Sequence, residues 1–266
     1  MRRKRGYYMK NQPIKFLRFL LQSGIITWIL LLVLWQVASI FNSPDFLPSP
    51  LKTFQGLKEI VRNGVLLDDI IISMRRVAIG WLRGLAIAVP IGLLIGRFRI
   101  MRWLLEPFIN FFRFVPAIGF LTLFLMWFGV GEESKLVLIT YATVFPVAIN
   151  TIAGVTGIDP VKYQAAQSLG ASQMQMFFTV TIPGAVPNIF TGIRLGLSGA
   201  IISIVAAEML AASEGLGYLI YTSRLYYRTD WIFVGIVTLG LIGFALDKIL
   251  RKLGNAMFRY YGVVDQ

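Results

Sequence analysis

The side chains that could do chemistry in this sequence are arginines and carboxylates, because its 266 residues include neither cysteine nor histidine. Arg75, Arg76 and Arg83 lie in an otherwise apolar stretch, and on a helix Arg83 is about 15 Å deeper than Ser73. A charge at such a depth faces a cavity or a partner. Thiolate catalysis, imidazole acid–base catalysis and the usual zinc sites are excluded. We therefore predict no catalytic residues and no metal site.

Two interpretations of these arginines stay open. In the first, Arg75 and Arg76 lie at the outer membrane interface, where one of them pairs with Glu208; Arg75 is the candidate. In the second, Arg76 or Arg83 faces a translocation path and attracts an oxyanion, because the guanidinium fork fits planar and tetrahedral oxyanions. An Arg83→Ala variant with unaltered function would remove Arg83 from that path.

Four further charged residues receive a simpler interpretation. Arg113 and Arg194 lie toward the inner side of their spans, and we expect each side chain to extend to the cytosolic interface. Glu132 and Glu133 lie at the outer end of the fourth span, where acidic residues complement the helix dipole. These residues therefore need no functional role at this stage.

Apolar segments dominate the chain, which is 56% hydrophobic and 15% charged, with a mean hydropathy of +0.70. Runs of about 20 apolar residues recur, which is the length that a membrane-crossing helix needs. A spanning backbone must satisfy its own hydrogen bonds, so helices are expected. We predict an all-α polytopic membrane protein with six transmembrane helices. The predicted spans are Gly24–Phe41, Ile71–Gly96, Leu104–Phe128, Ser134–Ala153, Val186–Leu210 and Ile232–Leu250.

The distribution of the net charge of +13 predicts the orientation. Lysine and arginine concentrate in alternate connections between spans, and this bias places both termini in the cytoplasm. The same distribution favours a lipid bilayer over nucleic acid as the partner. Residues 1–23 are then a cytosolic tail, residues 24–250 are one six-span domain, and residues 251–266 are a second cytosolic tail.

Small residues recur at every fourth position of spans two and five, and therefore share one helix face. Such a face lets another helix approach closely and gain van der Waals contact. Ordinary tight packing is the simpler interpretation, and helices that slide or tilt during gating are the alternative. The glycines of this pattern are Gly80, Gly84, Gly92, Gly96, Gly192 and Gly196.

An uncharged polar segment, YQAAQSLGASQMQMFFTVTIP, separates spans four and five on the predicted cytosolic side. Asp159 and Pro160 are typical of an N-cap and a first helical position, and Gly170 is typical of a helix end. A second short helix is predicted from Ser172, and Pro183 is expected to stop it. The sequence thus predicts a cytosolic helix–turn–helix at residues 159–183, hereafter the 159–183 loop.

The spacing of Ala165-Ala166, Gly170 and Ile182-Pro183 resembles the EAA loop of binding-protein-dependent ABC transporter permeases. Other segments resemble the subgroup that imports aliphatic sulfonates, taurine, nitrate or bicarbonate; among them are FLPSP, SMRRVAIGWLRG, MWFGVGEESK and GAVPNIFTGIRLGL. The resemblance implies the ABC importer type I permease fold, in a bacterial inner membrane. It also implies cytosolic ATPase subunits, an extracytoplasmic solute-binding protein and a second permease subunit, expected to be a second copy of this chain.

In that family the loop docks into a groove of the ATPase, and the residues it implies here are Gln164, Ala165, Ala166 and Gly170, with Pro183 closing the motif. Gln164 replaces the family's glutamate, so a charge-assisted hydrogen bond becomes a neutral one. The chain lacks a GxxxxGK[ST] segment, so ATP and magnesium are expected in the ATPase and this chain is not expected to be an enzyme.

Two other classes of membrane protein stay open. An ion-gradient-driven secondary transporter usually carries sequence repeats and carboxylates or histidine at membrane depth. Here histidine is absent, membrane-depth carboxylates are few and no repeat is evident. A structural membrane scaffold would not explain the match across the 159–183 loop.

Overall fold

The computed structural model describes residues 24–258, a range that contains helices and no strands. The α-helices are α1 Ile25–Ile40, α2 Pro50–Arg62, α3 Val65–Arg97, α4 Arg99–Phe112, α5 Leu121–Phe128, α6 Glu132–Thr156, α7 Pro160–Ser168, α8 Gln173–Met176, α9 Ile182–Ala211, α10 Leu216–Leu225 and α11 Thr229–Phe258. The 3-10 helix Ala117–Phe120 precedes α5, and the π-helical turn Phe177–Thr181 joins α8 to α9. The predicted tail at residues 1–23 lies outside the described residues.

The number of membrane spans is four or five by length and composition. Among residues 24–258, four helices are long and apolar enough to cross a membrane alone: α3, α6, the continuous α8–α9 unit and α11. The pair α4 and Ala117–Phe128 adds a fifth if the two form one span. Helix α1 is apolar but has 16 residues, a length of about 24 Å. These numbers are compatible with six spans, and the sixth stays a prediction.

Helix α6 packs along both α3 and α9, because glycines on those two helices leave room for its side chains. A Cβ atom on Gly84 of α3 would lie 2.5 Å from Cβ of Thr143, and one on Gly196 of α9 would lie 2.8 Å from Cγ2 of Val147. The backbones approach closely enough for Thr140 Oγ1 to donate to the Gly80 carbonyl at 3.1 Å. Close van der Waals packing of this kind stabilises helix association in a bilayer.

The third predicted span, Leu104–Phe128, is broken rather than kinked. Helix α4 and the segment Ala117–Phe128 meet at an angle of 91°. Pro116 is extended, with φ −60° and ψ 135°, so the helical hydrogen-bond ladder is interrupted there. Tyr141 of α6 donates its hydroxyl to the Phe112 carbonyl at 2.9 Å. Non-helical backbone at membrane depth needs such partners, which explains how the break is tolerated.

Pro183, which was expected to stop the helix before span five, does not stop it. Pro183 lies in the first turn of α9, and Pro187 lies inside that helix. The π-helical turn before them carries the chain on without a break, so α8 and α9 form one unit from Gln173 to Ala211. The prediction was wrong because packing against α6 holds the helix together; proline inside a spanning helix bends it rather than ending it.

On the outer side, α2 packs against the start of α11. Ser49 caps α2 by accepting from the Lys52 N–H at 3.2 Å. Gly56 of α2 faces Asp230, whose Oδ2 would lie 2.6 Å from a Cβ atom added there. Helix α2 is therefore fixed to the body of the protein.

Candidate functional site

The 159–183 loop begins with a capped helix, as its sequence predicts. Asp159 accepts from the Val161 N–H at 2.9 Å, and Pro160 occupies the first turn of α7, where a missing N–H costs nothing. Helix α7 runs to Ser168. Its N-cap satisfies a donor that would otherwise need water or a partner protein.

Gly170 makes the turn between the two helices of the loop. Its φ of +78° lies in the left-handed region, which strongly favours glycine. The Ala171 N–H donates to the Ala166 carbonyl at 3.0 Å and the Gly170 N–H donates to Gln167 at 2.9 Å, the bonds of a Schellman-type helix end. A capping box at Ser172 and Gln175 then starts α8. Helix α7, the Gly170 turn and α8 therefore form a bend of fixed shape, hereafter the elbow.

The outward face of this elbow carries the residues that the sequence singled out. Gln164, Ala165 and Gly170 are exposed, and Ala166 is half-buried. Leu169 between them is 88% exposed, which is unusual for a leucine in an ordered turn and suits a surface that another protein covers. Pro183 lies apart from this face, half-buried at the start of α9.

Arg97, which sequence reasoning did not single out, connects α3 to both helices of the elbow. Its guanidinium stacks over the Tyr163 ring of α7 at 5.5 Å and donates to Gln173 Oε1 of α8. The Tyr163 hydroxyl in turn lies 3.0 Å from Thr181 Oγ1 in the π-helical turn. In the sequence, Arg97 is an arginine at the inner end of a predicted span. The general excess of basic residues on the cytosolic side already accounts for such a residue, so the sequence did not indicate its contacts with the elbow.

At the opposite end of the helices, Arg76 is enclosed by carboxylates. Its Nη1 lies 2.8 Å from Glu208 Oε1, and its Nη2 lies 2.7 Å from Glu132 Oε1. Nε donates to Glu132 Oε2, Nη1 also donates to the Glu214 carbonyl, and Nη2 also donates to the Glu214 side chain. All five N–H donors of the guanidinium are thus used. No donor is left for an anion, so Arg76 is withdrawn from the predicted substrate path.

The predicted ion pair of Arg75 with Glu208 is wrong, because a different arginine pairs with Glu208. Arg76 makes this contact, whereas the Arg75 side chain is exposed. Consecutive residues point about 100° apart around a helix, so only one of the two can face α9. Arg83 is about half-exposed and its Nη1 lies 2.6 Å from Glu133 Oε1. Glu132 and Glu133 therefore pair with arginines of α3 in addition to lying at a helix N-terminus.

Glu208 also caps the N-terminus of α10 from another helix. It accepts from the Gly217 N–H at 2.9 Å and from the Ser73 hydroxyl at 2.8 Å. Ser73 accepts from the Leu216 N–H, and Asp69 accepts from the Gly215 N–H. The first N–H groups of a helix have no partner within it, and here α3 and α9 supply those partners. This set fixes α10 to the outer ends of two spans.

The six glycines of the small-residue pattern all lie at helix contacts. For each of them, a Cβ atom would lie within 3.0 Å of a side-chain atom of α6. They are Gly80, Gly84, Gly92 and Gly96 on α3, and Gly192 and Gly196 on α9. The predicted sliding or tilting of these helices stays a prediction.

Two more ion pairs connect distant parts of the chain. Arg194 of α9 pairs with Asp247 of α11, with Nε 2.8 Å from Oδ1, so its expected extension to the cytosolic interface is replaced by an interhelical contact. On the outer side, Arg228 pairs with Glu59 of α2 at 2.6 Å. The Arg228 guanidinium holds the pKa of Glu59 below its ordinary range, and hydrogen bonds to Asp230 and Glu59 raise the pKa of Arg228.

Comparison with known proteins shows which family this chain resembles. Residues 88–258 match the family model described as "Binding-protein-dependent transport system inner membrane component". The taurine transport system permease protein TauC of Escherichia coli is 36% identical over 243 residues, covering 89% of this chain and 88% of TauC. The putative aliphatic sulfonates transport permease protein SsuC of Bacillus subtilis is 33% identical, covering 89% of this chain and 87% of SsuC.

One solved structure shows a similar fold. It is an inward-facing conformation of the MetNI methionine ABC transporter, with a TM-score of 0.59 and 20% sequence identity. The match covers 71% of this chain and 95% of the chain compared. At that identity the likeness supports the arrangement of the helices and nothing about the substrate.

Proposed function

Because this chain belongs to the family of binding-protein-dependent transport system inner membrane components, it is the permease subunit of an ABC importer, and we propose that it carries a small sulfonate such as taurine. The observation that carries the substrate proposal is the similarity to TauC and SsuC along almost the whole chain. Nitrate and bicarbonate, which the sequence also suggested, are the neighbouring alternatives.

The 159–183 loop is the proposed site of contact with the cytosolic ATPase. Support comes from its shape: a capped helix, a left-handed glycine and a second capped helix hold an exposed face in one conformation. A fixed surface loses little conformational freedom on binding, and binding affinity increases accordingly. Gln164, Ala165, Ala166 and Gly170 are the proposed contacts, and ATP and magnesium belong to the partner.

The loop is also built to pass a displacement into the membrane. Helix α8 continues through the π-helical turn into α9 without a break, so a movement of the elbow is a movement of a spanning helix. Arg97 adds a second connection, from the elbow to the inner end of α3. We propose that ATP binding draws together the loops of two permease subunits and rotates these spans to open the path.

The assembly proposed for this permease has two copies of this chain, two ATPase subunits and an extracytoplasmic binding protein that delivers the substrate. The membrane is a bacterial inner membrane, with both termini in the cytoplasm. Support for the orientation comes from the positions of basic residues: Arg97, Arg99 and Arg102 lie at the same end of the bundle as the 159–183 loop.

Reconstitution tests this function. The permease, its ATPase and its binding protein are placed in proteoliposomes, and uptake of radiolabelled taurine is measured with and without ATP. We expect uptake that needs ATP and the binding protein and that vanadate inhibits. Uptake driven by a proton or sodium gradient without ATP would show a secondary transporter. Uptake of nitrate but not taurine, under the same ATP dependence, would overturn only the substrate.

A further inference from the structure

The arginines within the spans and their connections differ in whether a carboxylate neutralises them. An ion inside a membrane protein is costly unless it is paired or serves a ligand. The carboxylate pairs of these arginines within residues 24–258 include Arg76 with Glu208 and Glu132, Arg83 with Glu133, and Arg194 with Asp247. Each of these charges therefore has a structural counterpart.

Arg113 has no carboxylate counterpart of this kind within residues 24–258. Among the described residues no carboxylate oxygen lies within 4.0 Å of its guanidinium, whose recorded contact is the ring of Phe114 at 4.5 Å. The side chain is exposed rather than enclosed, so the guanidinium can be reached. Its charge is thus available to a ligand, in contrast to that of Arg76.

Arg113 also lies in the middle of a membrane crossing. Helix α4 begins at Arg99, next to the inner end of α3, and 14 residues of helix carry the chain about 21 Å before it reaches Arg113. The segment after the break leads to α6, whose first residue, Glu132, pairs with Arg76 at the outer end of α3. A long side chain at the interface needs no such depth, so extension to the cytosol does not explain this position.

The helix that ends at Arg113 is polar along one face. Arg102, Glu106, Asn110 and Arg113 are spaced by four, four and three residues and therefore share that face. Asn110 and Arg113 are exposed, and Arg102 and Glu106 are half-buried. In a spanning segment such a face lies against water or protein rather than lipid. Helix α4 thus has a side suited to an aqueous path.

The break beside Arg113 has the character of a substrate site. Discontinuous helices form the binding sites of many transporters, because non-helical backbone persists at membrane depth only where it is buried or lines a water-filled cavity. Here the Tyr141 hydroxyl satisfies the Phe112 carbonyl, and it lies 3.4 Å from the Val115 carbonyl. The Phe112 carbonyl at the break thereby has a partner from another helix, and the cation of Arg113 lies next to it.

We infer that Arg113 is a contact for the oxyanion group of the substrate at the middle of the translocation path. The inference rests on the proposed function, since it takes a sulfonate as the ligand. A guanidinium fork can donate two N–H groups to two sulfonate oxygens, which an ammonium cannot do in the same geometry. Arg76 and Arg83, the arginines suggested by the sequence, already have carboxylates in that role.

The first test measures taurine uptake by proteoliposomes that contain the assembled transporter, with the binding protein saturated. We expect Arg113→Gln to lower the uptake rate about tenfold, as for a lost hydrogen bond to a charged group, and Arg113→Lys to restore part of it. ATPase co-purification and ATP hydrolysis should persist in both variants. Arg99→Gln is the matched control, because Arg99 is on the same helix, at its inner end, and stacks on Trp103; its uptake should match the unaltered protein.

The second test uses the absence of cysteine from the chain. The thiol of Arg113→Cys is modified either with an aminoethyl methanethiosulfonate, which restores a positive charge, or with a sulfonatoethyl methanethiosulfonate, which adds a negative one. We expect the first to raise uptake and the second to abolish it. Arg99→Cys should respond to neither reagent. The unaltered transporter, treated in the same way, controls for thiols of the partner subunits.

Three results would overturn the inference: Arg113→Gln with unaltered uptake, Arg113→Cys with equal responses to the two reagents, or loss of uptake only in proportion to loss of assembled ATPase. If the unaltered transporter also fails to take up taurine, the proposed substrate fails together with this inference. If the unaltered protein transports taurine and the Arg113 variants do so equally, the inference fails alone.

Discussion

The Nη1 atom of Arg76 lies 2.8 Å from Oε1 of Glu208, and the two side chains are 2% and 0% exposed. This pair joins α3 to α9, and Glu208 at the same time holds the N-terminus of α10. The outer ends of three helices are thus connected through one carboxylate. Movement between these helices during transport requires either that the cluster moves as a unit or that it breaks.

Replacement of Arg76 by methionine should destabilise the permease strongly. The variant leaves Glu208 buried without its cation, and breaking a buried ion pair from one side costs about 3–5 kcal/mol. Thermal unfolding of the detergent-purified subunit measures the change. Arg75→Met is the control, because Arg75 is the exposed neighbour and surface substitutions change stability by about 0.5 kcal/mol or less. Equal loss in both variants would contradict the burial described here.

A single methyl group on the glycine face should be poorly tolerated. A Cβ atom on Gly84 would lie 2.5 Å from Thr143 Cβ, so Gly84→Ala should cost about 1–3 kcal/mol through overpacking. Gly240→Ala in α11 is the control, since none of the described residues 24–258 has an atom within 4 Å of a Cβ atom there. The unfolding temperatures of the two variants provide the comparison. A Gly84 variant as stable as the Gly240 variant would show that α3 and α6 can separate at little cost.

These features were predictable from the sequence to different degrees. The glycine pattern and the caps of the 159–183 loop are local, so residue types at fixed spacing predict them. The choice between Arg75 and Arg76 is not local, because it depends on which side of α3 faces α9. The pair of Arg194 with Asp247 joins residues far apart in sequence, and no short motif marks it.

The sequence indicates the position of the break in span three but not its size. Pro116 indicates a disturbance of the helix, but proline alone produces a kink. At the 91° bend Tyr141 donates to the Phe112 carbonyl from another helix, a contact that no local sequence pattern indicates. Before span five the sequence predicted a helix end at Pro183, but a π-helical turn joins α8 to α9 and the helix continues past this proline. Proline marks where a helix changes; tertiary contacts decide by how much.

Gly170→Ala should weaken binding to the ATPase while leaving the fold intact. An alanine at φ +78° costs about 1–2 kcal/mol, although its Cβ atom would meet nothing within 4 Å among the residues that the structure describes. The strain acts on the elbow alone, so the unfolding temperature should change little while co-purification of the ATPase falls. Gln167→Ala is the control, because it introduces an alanine at an exposed position of the same loop without changing the Gly170 turn. An unchanged yield of ATPase with Gly170→Ala would show that the shape of the turn does not matter for docking.

The Glu59–Arg228 pair should make the outer side sensitive to acid. Arg228 lowers the pKa of Glu59 below its usual 4.5, so the stabilisation is complete above pH 4.5 and is lost as the pH falls through the lower value of the folded protein. Unfolding temperatures measured from pH 7 to pH 3 should therefore fall less steeply below pH 4.5 in Glu59→Gln than in the unaltered protein. Parallel curves would remove this pair from the acid response.

The most direct test of the account is a cross-link between the elbow and the ATPase. Ala165→Cys gives a unique thiol in this subunit, because the chain has no cysteine. In inside-out vesicles that hold the assembled transporter, we expect a short reagent that is thiol-reactive at one end and photoreactive at the other to join position 165 to the ATPase, with a yield that changes between the nucleotide-free and the vanadate-trapped states. Labelling of that thiol from the extracytoplasmic side, or no cross-link to the ATPase in an actively transporting assembly, would contradict the role proposed for the 159–183 loop.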